Sequence, residues 1–95
     1  MTEYKILIPG GYPAELRWWE ETLSKRFGGW YAHKVEGAEQ YPDVTAAYFA
    51  YYVAIPTTFA ATADILLCIK VALTKFHQRE IYYTVSSTEA RKYGD

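Results

Sequence analysis

The segment Thr45–Ile55 constrains the fold more than any other part of the chain. Tyr, Phe, Val and Ile recur through it in alternation, a composition that suits a pleated, half-buried strand. Phe49, Tyr51, Val53 and Ile55 fall on one face, and Tyr48, Ala50, Tyr52 and Ala54 on the other. Pro56 then ends the strand, because proline cannot donate to the ladder. A strand apolar on both faces belongs inside a sheet, so other elements must flank it on each side.

Those elements can be read along the chain. Tyr4-Lys5-Ile6-Leu7-Ile8 is a short strand stopped by Pro9-Gly10-Gly11. Pro13 suits the first position of a helix, and Leu16, Trp19, Leu23 and Phe27 recur at spacings of three and four to form its apolar stripe. Gly28-Gly29 close that helix, with Lys25-Arg26 in its last turn to complement the dipole. Trp30–Val35 reads as a second strand and Gly37–Pro42 as a polar loop. After Pro56, Thr57 or Thr58 can cap a second helix, whose expected stripe is Phe59, Ala63, Leu66, Ile69 or Lys70, Leu73 and Phe76. Ile81–Val85 is the last strand. Residues 4–85 form the expected core of one domain spanning 1–95, and 86–95 a polar C-terminal tail.

The order strand, helix, strand, strand, helix, strand predicts an α+β fold. Two right-handed crossovers on one sheet give the ferredoxin-like βαββαβ sandwich, a four-stranded antiparallel sheet with two helices on one face. The first and third strands are then central, and the strand carrying His33 and Lys34 suits an edge. Two helices cover one sheet face. The other face must be wet, covered or functional.

Composition narrows the chemistry. Of 95 residues, ten are basic and eleven acidic, for a net charge of −1. Binding of long nucleic acid is not expected, since neutralising phosphates takes a basic excess or stripe. Cys68 is the only cysteine, which excludes an internal disulfide, and its apolar run Ile65–Ile69 makes it a buried hydrophobe with no cationic neighbour to activate it. No charged segment followed by a long apolar one opens the chain, and Pro56 and four threonines interrupt the charge-free stretch Val44–Ala63. The expected location is the cytoplasm, with no membrane partner. Neither metal-ligand spacing nor a cofactor motif is present, so no metal or cofactor is expected.

Catalytic candidates are sparse. His33 is the best general base the chain offers, and His77 suits the C-terminal end of the second helix, where the dipole favours a cation. Glu20-Glu21 diverge by about 100° on their helix and cannot work as a pair, so they read as a solvated face. Gly10, Gly11 and Tyr12 stand where a phosphate loop would, between strand and helix, without either glycine-rich pattern.

The aromatic content carries more. Ten Tyr, three Trp and four Phe make 18% of the chain. Trp19 belongs to the buried stripe, whereas Trp18 shares a side with Glu15, Glu21 and Lys25 and suits either an interface anchor or packing on the chain's own edge. Tyr48 and Tyr52 point the same way from the central strand, with Tyr82 expected nearby. On an open face two such rings would form a platform that stacks on a planar group or buries against a second copy; the alternative is that the strand faces are reversed and these tyrosines pack under the helices.

The short first strand, the helix ending in Phe27-Gly28-Gly29, the aromatic-led strand from Trp30 and the long strand ending in Ile55-Pro56 together resemble small uncharacterised ferredoxin-like proteins of bacteriophage and bacterial genomes. The resemblance implies no catalytic set. It implies a small accessory or anti-defence protein acting in the host cytoplasm if phage-encoded. The expected function is non-catalytic, stoichiometric binding of a protein or a nucleotide-like small molecule through aromatic surfaces, with homodimer formation. The alternative is a cofactor-free enzyme of the dimeric α+β barrel type, using His33 or a tyrosine.

Overall fold

The computed structural model describes residues 1–36 and 47–87. Its elements are β1 (Thr2–Pro9), α1 (Pro13–Phe27), β2 (Tyr31–Glu36), β3 (Ala47–Ile55), α2 (Phe59–Lys75) and β4 (Tyr83–Ser87). The strands form one antiparallel sheet in the order β2-β3-β1-β4, the expected α+β ferredoxin-like arrangement with β1 and β3 at the centre.

The β1–β3 register pairs Tyr4 with Val53, Ile6 with Tyr51 and Ile8 with Phe49. Alternation sends these residues to the helix side, where all but the half-buried Phe49 are closed off from solvent. Trp19 and Leu23 of α1, Ile65, Cys68, Ile69 and Ala72 of α2, and Phe76 at its C-cap complete the core. Trp19 meets Tyr51 edge to face, with ring centroids 6.2 Å apart and planes at 86°. The Tyr51 hydroxyl does not stay unsatisfied: it donates to Glu20 Oε1 at 2.9 Å. Burial, reinforced by that hydrogen bond and the Glu20 charge, holds the Tyr51 phenol well above its ordinary titration range. Glu20 is therefore a polar anchor of the core and not the solvated residue expected; only Glu21 is exposed.

The helix ends follow from local chemistry. Pro13 stands at the start of α1, and Gly28 closes it in the left-handed conformation with φ 75°, where a β-carbon would be strained. The Thr58 hydroxyl accepts the Ala61 N–H at 3.1 Å and caps α2. At the other end, the N–H of Gln78 reaches the Leu73 carbonyl and that of His77 the Thr74 carbonyl. This is a Schellman closure, with His77 at φ 55° in the place usually held by glycine. Arg26 and Asp64 pair across the two helices.

Several expectations need correction. β1 and β2 run to Pro9 and Glu36, and β4 starts at Tyr83 and includes Ser86 and Ser87, residues expected in the tail. The expected loop Gly37–Pro42, Thr45 and the remaining tail residues lie outside the described residues. The α2 stripe is also partly displaced. Ile69 and Phe76, the latter at the helix C-cap, are buried as expected, but Ile65, Cys68 and Ala72 complete that face, while Phe59 is 90% exposed and Leu66 39%. The helix has apolar residues around most of its circumference, so more than one stripe satisfies a three-to-four spacing. Cys68 is buried as expected, but Arg26 does act on it; burial raises the thiol's pKa more than Arg26 lowers it.

Replacing Phe76 with Ala should lower stability by about 3–5 kcal/mol, whereas Phe59→Ser should change it by about 0.5 kcal/mol or less. Urea unfolding of the two variants checks the reassigned stripe; equal losses would contradict it.

Candidate functional site

The same alternation that fills the core populates the opposite face of the sheet. Register places Thr84, Lys5, Tyr52 and Tyr31 side by side across the four strands. The next row holds Leu7, Ala50 and His33, with Tyr82 joined to Leu7 through the Leu7 N–H and the Tyr82 carbonyl at 2.9 Å. No helix covers these rows, since both pack on the other side.

Three rings of this face form a cluster. Tyr31 and Tyr52, paired across β2 and β3, stack with centroids 4.6 Å apart and planes within 3°. His33 meets Tyr31 and Tyr52 edge-on, at 5.7 Å and 5.8 Å. The Lys5 ammonium stands 5.9 Å from the Tyr52 centroid. The result is a column: Lys5 at one end, then Tyr52, then Tyr31. Tyr31 lies on the edge strand and is 51% exposed, so the end of the column faces solvent. Its phenol is held above the ordinary tyrosine pKa of 10.0, first by loss of solvation and then by the Glu3 charge, with Tyr52 and a hydrogen bond to Glu3 adding to it. Tyr31 thus stays protonated, and its hydroxyl donates to Glu3.

The residues singled out from sequence do not form one site. Tyr48 and Tyr52 do share the open face, but they stand four positions apart, about 13 Å along the strand, with Ala50 between. They make no joint platform; the stacking partner of Tyr52 is Tyr31. Tyr82 is separated from β3 by the whole of β1, and its hydroxyl donates to Glu80 at 2.7 Å, so it cannot grip a group held by Tyr52. Gly10 and Gly11 form a plain turn, and Tyr12 packs on Phe76 and His77 at 6.0 Å each. That contact ties the β1–α1 connection to the end of α2. Trp18 is half-buried, packed against the core with Lys75 Nζ 5.0 Å from its ring, which matches packing on the chain's own edge. With Thr22, Leu67, Cys68 and Val71 it lines a shallow interhelical groove of about 250 Å³.

Tyr31 was not a candidate from sequence, and His33 was considered only as a base. Tyr31 heads a strand beside Trp30, and only the β2–β3 register reveals what it faces. Among the described residues, no group of three or more His, Cys, Asp or Glu could hold a metal, and no helix is long and apolar enough to cross a membrane. No family model matches the chain, and no curated protein matches it in sequence.

A Glu3→Gln substitution removes the charge while keeping a polar side chain, so the Tyr31 phenol should titrate closer to, but still above, 10.0. Carbon-detected NMR of the tyrosine rings across alkaline pH measures this; an unmoved Tyr31 would show that Glu3 does not act on it.

Proposed function

We propose that this is a non-catalytic, stoichiometric binding protein that holds a flat, base-bearing small molecule at the solvent end of the Tyr31–Tyr52 column. The observation that carries the reading is the stack itself: two parallel rings already aligned at 4.6 Å, the outer one, Tyr31, half exposed on the edge strand. A base seated there gains about 1–3 kcal/mol from stacking and meets rings already held in place, which lowers the ordering cost of binding. His33 supplies a hydrogen-bonding group at the rim, and the Tyr31 oxygen, its proton held by Glu3, can accept one.

Charge narrows the ligand. Of the described residues on these rows, Lys5 alone carries a permanent positive charge, and Glu3 lies two positions away on the same face. A nucleoside or free base suits that balance better than a polyphosphate. Binding is favoured over catalysis by the surroundings of His33, whose contacts are two tyrosine rings. A general base needs an orienting partner, and among the described residues no carboxylate hydrogen-bonds to His33.

Titrating the isotope-labelled protein with adenosine and with uridine should move the amide and ring signals of Tyr31, His33 and Tyr52 above all others. Tyr31→Leu should weaken that binding by about tenfold or more, the equivalent of one lost stacking contact, and the nucleoside should be recovered unchanged. No response at these residues to either nucleoside, or conversion of the nucleoside, contradicts the proposal.

A further inference from the structure

The two edges of the sheet are protected unequally. β2 carries His33 and Lys34 at its edge, and edge charges discourage pairing with another strand. β4 is Tyr83-Thr84-Val85-Ser86-Ser87, with no charge and no proline, and every residue in it is exposed. It is the last strand of the sheet, and among the described residues its outer side has no neighbouring strand.

The ladder shows which backbone groups face outward. The Leu7 N–H bonds the Tyr82 carbonyl, which makes Leu7 and Tyr82 a hydrogen-bonded pair. Antiparallel pairs alternate, so Lys5–Thr84 and Glu3–Ser86 are bonded pairs too, whereas Ile6–Tyr83, Tyr4–Val85 and Thr2–Ser87 are not. The N–H and C=O groups of Tyr83, Val85 and Ser87 therefore point away from β1, along the open edge. Their side chains stand on the helix side, with Tyr83 stacked on Tyr4 at 6.0 Å yet still 43% exposed, and Val85 50% exposed.

We propose that β4 pairs with β4 of a second copy, antiparallel and centred on Val85, to make one continuous eight-stranded sheet. Self-pairing fits the strand. A twofold axis at Val85 sets valine against valine and Tyr83 against Ser87 of the other copy, large against small, with no like charges opposed. Each outward N–H then meets an outward C=O. The helix above adds apolar surface to the same interface. Asp64 and Val71 of α2 face α1, through the Arg26 pair and the Trp18 groove. At about 100° per residue, Phe59 and Leu66 lie on the opposite flank, the one on the β4 side. Phe59 follows the Thr58 cap, near the end of the sheet where Thr2 pairs with Ser87. Antiparallel pairing brings Tyr83 of one copy to that end of the other. This use of β4 leaves the Tyr31–Tyr52 column free on both copies, so the interface is separate from the proposed ligand site.

The test is self-association measured by analytical ultracentrifugation and native mass spectrometry on the full chain. The protein should have twice the 10.9 kDa chain mass at high micromolar concentration. Val85→Pro removes an outward N–H that β1 does not use, and Val85→Lys places a charge at the axis. Each should weaken the dimer about tenfold or more, while Tyr31→Leu leaves it unchanged. Amide hydrogen exchange on the unaltered protein tests the pairing without any variant: the Tyr83, Val85 and Ser87 amides should become more protected as concentration rises. A strict monomer, a dimer insensitive to both Val85 variants in folded form, or exchange at these amides independent of concentration would overturn the proposal.

Discussion

The pairing of β1 with β3 is the constraint on which the rest of the structure depends. Once Ile6 lies opposite Tyr51, the side chains of both central strands are assigned to faces by alternation alone. Tyr4, Ile6, Ile8, Tyr51, Val53 and Ile55 go to the helices, and Glu3, Lys5, Leu7, Tyr52 and Ala54 to the opposite side. A slip of one residue would bury Lys5 and Glu3 beneath the apolar faces of the two helices, so the register is strongly specified. The aromatic column is a consequence of that choice: the register that buries Tyr51 also exposes Tyr52 beside Lys5.

Tyr51 and Tyr52 show how neighbouring residues of one type acquire different roles. Tyr51 is closed in by Trp19, Trp30 and Phe49, and its single polar atom is satisfied by Glu20. An unpaired hydroxyl there would cost about 1–3 kcal/mol. Tyr52 keeps partial contact with water and spends its ring on Tyr31 and Lys5. The first tyrosine is a packing element with a bonded polar end. The second presents its ring to the surface.

Much of the fold was legible in the sequence because its strongest signals were local. Pro13 and Gly28 bracket α1, Pro56 ends β3, and Thr58 caps α2, each through its own backbone chemistry. The alternation of Phe49 to Ile55 identified the core face of the central strand. The α2 stripe was less legible, because Leu66, Leu67, Val71 and Leu73 offer apolar side chains away from the buried face. The candidate site was half legible for a further reason. Tyr52 could be placed on the open face from its own strand, but its partner Tyr31 depends on register across the ten residues 37–46. A connection that long does not dictate pairing as a two-residue hairpin does. Distance along the strand corrects Tyr48, and the intervening β1 corrects Tyr82.

The central claim is that, among the described residues, no helix packs over the sheet face that presents Tyr31 for stacking, while Tyr51 is sealed beneath the helices. Hydroxyl-radical footprinting read by mass spectrometry tests it directly, since labelling follows solvent access residue by residue. The account predicts fast labelling of Tyr31 and slow labelling of Tyr51 in the free protein, with excess adenosine protecting Tyr31 and leaving Tyr82 unchanged. Tyr31 labelled as slowly as Tyr51 in the free protein would contradict it, because the face would then be covered.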